Sequence, residues 1–332
     1  MEEAIIVQKR NSLPVIIVTM GGSACERLIA LLKAGIRVFP IVVLNGYSET
    51  VIARFRSLIG SDGELIVLSR NLGGSGGFRA GMSYVLQHYS DIQRVWLLDD
   101  DAEINRDTLS ELLRTADQFE KENIPWGVLG SMIVSAEQRD IVIETGASID
   151  LKKGGFLLKN HGKKCSEIPK IPIPCQYCAA ASLLTRVEVL RMAGIFADIF
   201  IHFDDVEWCF RVRNAGYNVY CVPSSAIHHP SHLSKPATWI RYYDAANYIW
   251  FCKKYFPKSV KRAVFQQWLK AFYFYLHGFK ATARLYYLGI RDGLAGNVRL
   301  HRDELIFEPY VSVSSDEWVQ EKLFITDLPC HG

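Results

Sequence analysis

Short apolar runs alternate with amphipathic segments from the beginning of the chain to about residue 230. The apolar runs predict buried strands at 15–19, 38–44, 65–68, 94–98, 127–134, 142–145 and 219–222. The segments with helical spacing predict helices around 26–32, 50–59, 82–89, 108–113 and 204–214. This alternation predicts an α/β fold with a mainly parallel sheet that has helices on both faces. Ligands of such sheets bind beyond the carboxyl ends of the strands.

Two segments interrupt the alternation. Asn71–Phe78 holds four glycines, Gly73, Gly74, Gly76 and Gly77, and predicts a loop whose backbone N–H groups approach phosphate oxygens. It lacks the Gly-Lys-Ser/Thr of a Walker loop, and Arg79 stands at the third glycine position of a dinucleotide fingerprint. The polar, basic and proline-containing stretch 152–174 predicts an irregular, mobile excursion.

The pattern changes after Pro236, which divides the chain into a predicted catalytic domain, 1–235, and a mainly helical C-terminal region, 236–332. Large apolar side chains recur there at helical spacing, namely Phe265, Trp268, Leu269, Phe272, Tyr275, Leu276 and Phe279. Two interpretations stay open and are compatible. The helix packs on the main domain, or part of it lies against a membrane interface.

Charge supports the second interpretation. The net charge of the 332-residue chain is only +3, but eleven Lys and Arg residues between Phe251 and Arg302 stand against one acid, Asp292. The rest of the chain is therefore acidic, and the C-terminal region is expected to face an anionic surface. The chain has no apolar run of about 18 residues, and its acidic start, 1–4, has no signal-peptide pattern. A cytoplasmic protein, peripheral on the inner face of the cell membrane, is expected.

The eight cysteines include one close pair, Cys175-x-x-Cys178. One pair without a second pair or a nearby histidine set is weak evidence for zinc. Reduced, buried thiols are expected instead.

An apolar run that ends in three consecutive carboxylates, Asp99-Asp100-Asp101, is the strongest chemical signal in the chain. Alternate side chains of an extended backbone point the same way, so Asp99 and Asp101 share a face and Asp100 opposes them. Three adjacent carboxylates repel one another, which favours a divalent cation that also holds a diphosphate. The alternative is a helix cap, a role that Asn105 or Asp107 could also fill.

A second acidic cluster opens the helix predicted at 204–214. Asp204 or Asp205 either caps this helix or serves as a general base for an incoming hydroxyl group. The adjacent His228 and His229 follow the strand predicted at 219–222, and their position favours a ligand role for one of them.

Taken in order, the strand-end Thr19, the Asn71 loop, the Asp triplet, the Asp204-Asp205 helix start and the terminal histidine resemble family 2 glycosyltransferases of the GT-A fold. The glycine-rich segment, the triplet and Glu144-Thr145-Gly146 are most similar to bacterial galactofuranosyltransferases and rhamnosyltransferases. One position departs from the pattern: Leu44 stands where family members usually carry an Asp that often contacts the base.

The resemblance implies an inverting, metal-dependent transfer of galactofuranose from UDP-galactofuranose, or of rhamnose from dTDP-rhamnose. The acceptor would be a glycan or a polyprenyl-linked glycan in cell-surface polysaccharide synthesis, such as O-antigen or capsule. It further implies Mn²⁺ or Mg²⁺ on Asp99, Asp101 and His229, with Asp205 as catalytic base and Asp204 beside it. The expected contacts of the nucleotide-sugar donor are Thr19, Asn71, Gly73, Gly74, Gly76, Gly77 and Asp100.

Other classes fit the sequence less well. A sugar-1-phosphate nucleotidyltransferase usually carries a basic residue in an N-terminal glycine-rich signature, and residues 20–24 have none. A sugar-nucleotide-binding protein without activity would need the metal ligands but not Asp205. A nucleic-acid partner is not expected, because the chain has no recognition motif and is acidic outside the C-terminal region.

Overall fold

A computed structural model describes residues 12–35, 38–46, 48–152, 155–230 and 239–298 of the chain. The chain start at 1–4 and the end of the basic stretch, Arg299 to Arg302, lie outside these residues. The described residues form two compact units. The first falls within Met1–Ser148, Leu158–Ala197 and Asp204–Pro230, and the second within Ile149–Leu157, Asp198–Phe203 and Ser231–Gly332.

The strands are β1 Leu13–Thr19, β2 Val38–Asn45, β3 Glu64–Leu68, β4 Arg94–Asp99, β5 Trp126–Ser135, β6 Val142–Glu144, β7 Ala147–Asp150, β8 Gly155–Leu158, β9 Ile173–Cys175, β10 Ser182–Arg186 and β11 Asn218–His229. A mixed sheet is the centre of the first unit, with the strand order β3-β2-β1-β4-β10-β5-β11-β9 and β6 paired to β5. A separate two-stranded sheet joins β7 and β8. Six strands, β3, β2, β1, β4, β5 and β11, run parallel, while β6, β9 and β10 run against them.

Helices connect these strands as the alternation of the sequence predicts. The helices of the first unit are α1 Ser23–Gly35, α2 Glu49–Ile59, α3 Gly73–His88, α4 Arg106–Lys121, α5 Val187–Ala193 and α6 Asp204–Asn214. The central strands are apolar and buried, with no exposed residue along β5. Strands that are covered on both faces require such continuous apolar runs.

Three local predictions are wrong. The glycine-rich segment is helical from Gly73 onward, because its glycines allow close packing of α3 on β1. The stretch 152–174 contains β8, a 3₁₀ turn at Cys165–Glu167 and part of β9 instead of being irregular throughout. The last parallel strand passes Pro223 and continues to His229, since a register shift between Val222 and Ala226 accommodates a residue that cannot donate a ladder hydrogen bond.

The second unit is mainly helical in its described part. Its helices are α7 Ile240–Tyr255, α8 Val260–Leu276 and α9 Lys280–Ala295. Helices α7 and α9 approach closely through Gly289 and Gly293, where an added Cβ would lie 2.4 Å from Tyr242 O and 2.5 Å from Ala246 O. No described helix combines the length and the hydropathy that are needed to cross a membrane.

Candidate metal and sugar-nucleotide site

Two aspartates and a histidine converge at the carboxyl ends of β4 and β11. Asp99 ends β4, Asp101 follows two residues later, and His229 ends β11. The His229 Nε2 atom lies 3.1 Å from Asp101 Oδ1 and 3.5 Å from Asp99 Oδ2. One ligand atom from each residue lies within 4.8 Å of the others, which is close enough for all three to hold one metal ion.

The backbone after the aspartate triplet brings these residues together. The Glu103 N–H donates to His228 O at 2.8 Å, and the His228 N–H donates back to Glu103 O at 3.0 Å. This bridge holds the segment after Asp101 against the end of β11. The His228 ring lies elsewhere, with Nε2 3.4 Å from Arg139 O, so the carboxylates meet His229 and not His228.

Asn105 fills the capping role that the sequence left open. Its Oδ1 accepts the Asp107 N–H at 2.8 Å, and the Thr108 hydroxyl accepts the Asn105 N–H at 3.0 Å. Helix α4 therefore has a capping box of its own. The three aspartates are not needed to cap it.

Charge attraction also holds together the candidate metal ligands Asp99, Asp101 and His229, which we refer to as the metal-ligand group. Burial alone would lower the pKa of His229, but hydrogen bonds to Asp101 and Asp99 and the charges of both carboxylates raise the pKa to about 11. The imidazolium thus occupies the position of positive charge between two anions. A divalent cation would compete with this proton.

Asp100 lies in the turn that follows β4, and its side chain contacts Thr19 outside the group of Asp99, Asp101 and His229. Its Oδ2 accepts the Thr19 hydroxyl at 2.6 Å, and the Thr19 oxygen in turn accepts the Gly21 N–H at 2.9 Å. Burial, followed by the charges of Asp101 and Asp99, raises the pKa of Asp100 to about 6, although the Thr19 hydrogen bond opposes the shift. This carboxyl group joins the ends of β4 and β1.

A second acidic pair, Glu144 and Asp205, lies beside the metal-ligand group. The Ala180 N–H donates to Asp205 Oδ2 at 3.3 Å, and an Ala179 backbone hydrogen bond reaches Glu144. Burial and the charge of Asp205 raise the pKa of Glu144 to about 7, against the opposing effects of Ala179 and His229. Glu144 can therefore hold or release a proton near neutral pH.

The side chains around Glu144 differ in their exposure to solvent. Asp204 is buried, while Asp205 is half-buried at the start of α6. Tyr177 is buried among the same acids, and burial followed by the charges of Glu144 and Asp205 raises its pKa well above the usual value. Neither Glu144 nor Tyr177 was predicted from the sequence to be a site residue. The one sequence signal for Glu144 was its place in the motif Glu144-Thr145-Gly146.

The glycine-rich segment contributes a helix N-terminus rather than a loop. Asn45, at the end of β2, accepts the Leu72 N–H and donates to Gly73 O, both at 2.8 Å, and Asn71 Oδ1 accepts the Gly73 N–H at 2.8 Å. These bonds fix the N-terminus of α3 next to the carboxyl end of β2. Gly74 has no heavy atom within 4 Å of an added Cβ and is open.

Gly76 and Gly77 serve packing. An added Cβ would lie 2.4 Å from Leu72 Cβ at Gly76 and 2.2 Å from Val18 Cγ1 at Gly77. The two residues therefore face the protein rather than open space. Leu44, at the position where the resembling family carries an Asp, is fully buried in the core.

Comparison with solved structures identifies the fold. The crystal structure of GalNAc-T7 with UDP, GalNAc and Mn²⁺ superposes with a TM-score of 0.52 at 15% identity, over 66% of this chain and 43% of that one. The crystal structure of S. aureus TarS 1-349 matches at a TM-score of 0.44 and 13% identity, over 89% of this chain and 91% of that one. No protein-family model and no curated protein sequence matches the chain.

The chain has the GT-A fold of glycosyltransferases, so the fold class predicted from the sequence is confirmed. The match spans less than half of the GalNAc-T7 chain. The metal-ligand group lies at the edge of the sheet where open α/β sheets bind their ligands.

Proposed function

We propose that this protein is an inverting, metal-dependent glycosyltransferase that uses a nucleotide-diphosphate sugar. The observation that carries the proposal is the group Asp99, Asp101 and His229 at the ends of β4 and β11, together with the half-buried Asp205, whose charge acts on the same Glu144 carboxyl group as that of His229. One group is suited to a cation that binds diphosphate, and the other to proton removal.

The residues fit a divalent cation. Two carboxylate oxygens and one imidazole nitrogen within 4.8 Å form a mixed donor set. Mg²⁺ prefers oxygen ligands, whereas Mn²⁺ accepts imidazole more readily, so Mn²⁺ is the favoured ion and Mg²⁺ the alternative. The solved GalNAc-T7 structure contains Mn²⁺. When bound, the cation neutralises charge on the departing diphosphate.

Residues of the chain itself would perform the remaining steps of the transfer. Asp205 accepts the proton of the acceptor hydroxyl as that oxygen attacks the anomeric carbon, and the nucleotide diphosphate leaves from the opposite face. The Ala180 N–H orients the Asp205 carboxylate. Asp205 Oδ1 also accepts the Val206 N–H at 2.7 Å, and the buried Asp204 lies beside it at the start of α6. Thr19 and Asp100 line the nucleotide side with Asn71 and the open N-terminus of α3. A single displacement of this kind inverts the anomeric centre.

The finer assignment rests on the sequence resemblance. We assign UDP-galactofuranose as donor, with dTDP-rhamnose as the alternative, and a glycan or polyprenyl-linked glycan as acceptor. UDP in the solved GalNAc-T7 structure favours a uridine donor. Leu44 is buried in the core and Asn45 holds the start of α3. Neither residue therefore provides the carboxylate that family members use to contact the base.

A panel of sugar nucleotides tests this proposal. Wild-type protein with Mn²⁺ should release free UDP from UDP-galactofuranose in the presence of acceptor, and EDTA should abolish the release. Asp205→Asn should lower turnover by about 10²-fold or more while donor binding by calorimetry is retained. Asp101→Ala should lose metal-dependent donor binding, and Asp100→Asn should be milder.

The outcomes separate the alternatives. Full turnover in EDTA contradicts the metal site, and full turnover of Asp205→Asn contradicts the base. Donor binding with no turnover on any acceptor would favour a sugar-nucleotide-binding protein. Turnover with dTDP-rhamnose alone would move the assignment to rhamnosyl transfer.

Membrane contact is the second part of the proposal, and the outer side of α8 supports it. Six large apolar side chains of α8 are between 50 and 64% exposed, and we refer to them as the aromatic face: Phe265, Trp268, Leu269, Phe272, Tyr275 and Leu276. The Tyr287 ring of α9 extends this face at 6.3 Å from the Trp268 ring. A contiguous group of exposed large apolar side chains marks an interaction site.

The charges around the aromatic face select an anionic membrane surface as the partner. Lys261, Arg262, Lys280 and Arg284 are exposed on α8 and α9, and the one acid in these two described helices, Asp292, is buried. A second copy of the same face would bring like charges together. Aromatic and aliphatic side chains flanked by Lys and Arg instead match the interface of a bilayer with anionic lipids.

Vesicle sedimentation tests the membrane contact. The wild-type protein should bind phosphatidylglycerol-containing vesicles in a salt-sensitive manner and should not bind pure phosphatidylcholine vesicles. Phe265→Ser with Phe272→Ser should reduce binding, and Met192→Ser, which changes another exposed apolar residue, should not. A dimer in sedimentation velocity that the double variant abolishes, without vesicle binding, would assign the face to self-association.

A further inference from the structure

Two thiols lie in contact close to the acidic pair. Cys175 ends β9, and Cys178 follows three residues later, with the two Sγ atoms 3.4 Å apart. A disulfide bond is about 2.05 Å long, so a movement of roughly 1.4 Å would join them. We propose that Cys175 and Cys178 are a redox modification site that a small disulfide, such as oxidised glutathione, converts to an intrachain disulfide.

The packing around the pair leaves room for both sulfur atoms. A Cβ on Gly146 would lie 2.6 Å from Cys175 Sγ, and a Cβ on Gly130 would lie 2.7 Å from Cys178 Sγ. Larger residues at these two positions would displace the thiols. The contact between the sulfur atoms is thus part of the core packing and not an accident of two surface side chains.

Unequal exposure sets the order of the reaction. Cys175 is half-buried, while Cys178 is buried. The Cys175 thiolate attacks the small disulfide, forms a mixed disulfide and releases one small thiol. Cys178 sulfur then attacks Cys175 sulfur and releases the second small thiol. Two protein thiols are oxidised, one small disulfide is reduced to two thiols, and the two protons pass to the leaving thiolates.

The second step is expected to be slow. The hydrogen bond with Cys175 and burial raise the pKa of the Cys178 thiol well above its usual value. The thiolate is the attacking form, so a raised pKa keeps its concentration low.

The segment that follows the pair explains why oxidation would matter. Cys178 directly precedes Ala179 and Ala180, whose backbone groups hydrogen-bond Glu144 and Asp205. A bond between Cys175 and Cys178 would restrict this segment and shift those two contacts. This consequence rests on the proposed function, whereas formation of the disulfide does not.

Peptide mass spectrometry tests the modification directly. The full chain is equilibrated with mixtures of reduced and oxidised glutathione, quenched with acid, unfolded and alkylated. Trypsin releases residues 171–186, a peptide whose only cysteines are these two. Oxidising mixtures should yield this peptide without alkyl groups and lighter by two hydrogens, and dithiothreitol should reverse the change. Cys178→Ser should instead retain a glutathione adduct on Cys175.

The control and the contrary result are defined by the same peptide. Cys252→Ser, which removes a buried thiol of the second unit, should leave the oxidation of 171–186 unchanged. If both thiols of this peptide remain fully alkylated in the most oxidising mixture, the proposal is wrong. This readout needs no substrate, so a failure of the proposed glycosyl transfer would leave it unaffected.

Discussion

The titration of Glu144 makes the free energy of unfolding depend on pH. This buried carboxyl group ends β6, and burial together with the charge of Asp205 raises its pKa from 4.5 to about 7. Between these two pH values the unfolded chain is ionised at Glu144 while the folded protein keeps the proton. The free energy of unfolding therefore falls by about 1.4 kcal/mol for each pH unit, about 3 kcal/mol in all, and this contribution levels off above pH 7.

Glu144→Gln removes this dependence, because the amide is neutral and has nearly the shape of the protonated carboxyl group. The variant should match the wild type near pH 4.5 and be more stable by up to about 3 kcal/mol at pH 8. Urea unfolding from pH 4.5 to 8 in EDTA measures both curves. Glu122→Gln, which changes an exposed carboxylate, is the control and should run parallel to the wild type.

Two parallel curves for Glu144→Gln and the wild type would refute the reasoning, because they would mean that Glu144 titrates alike in both states. A cation should reduce the difference, since positive charge near His229 lowers the pKa of Glu144. A carboxyl group that costs stability at neutral pH is expected to be kept for function. We therefore expect the stabilised variant to have lower turnover.

Two further variants test packing and charge. Gly77→Ala should destabilise the protein by about 1–3 kcal/mol in urea unfolding, because the added Cβ would meet Val18 Cγ1 at 2.2 Å. Gly74→Ala on the same helix is the control and should be neutral or stabilising. Equal effects of the two substitutions would contradict the packing role of Gly77. Burial opposes ionisation of Asp244, but its hydrogen bond to His202 and neighbouring positive charges lower its pKa to about 2. Asp244→Asn should therefore lose about 2 kcal/mol at pH 7, and the deficit should vanish as the pH falls from about 4 to 2; a deficit that persists at pH 2 would assign the loss to packing.

The glycine-rich segment shows how tertiary contacts override local preference. Glycine disfavours helices, so four glycines within Asn71–Phe78 predict a loop. The helix forms because Gly77 and Gly81 let it approach Val18 and Ile16 of β1. Strands β1 to β6 and β11, in contrast, were predictable from apolar runs, since a sheet that is covered on both faces needs them. No strand was predicted from the sequence at β7, β8, β9 or β10, although β10 lies in the sheet between β4 and β5.

The meeting of Asp99 with Asp101 was predictable from the sequence, but the meeting of Glu144 with Asp205 was not. Asp99 and Asp101 lie at the end of a predicted strand, and the alternation expected of an extended backbone predicts that they share a face, although Asp101 lies in the turn after β4. The meeting of Glu144 with Asp205 depends on the antiparallel pairing of β6 with β5 and on the segment that leads into β10. Neither the pairing of β6 with β5 nor the position of the segment before β10 can be predicted from the spacing of residues in the sequence.

The sequence also could not predict which side of helix α8 is buried and which is exposed. The periodicity of its large apolar residues predicts the helix and the aromatic face, and an apolar face ordinarily turns inward. In the structure the inward side carries the smaller Ala263 and Ala271 together with Gln267 and Phe274, while the aromatic face is exposed. Small residues allow α8 to lie close to its neighbours, so burial is satisfied without the larger side chains. The exposed aromatic face is therefore left for the membrane contact that we propose, and its flanking cations suit an anionic lipid surface.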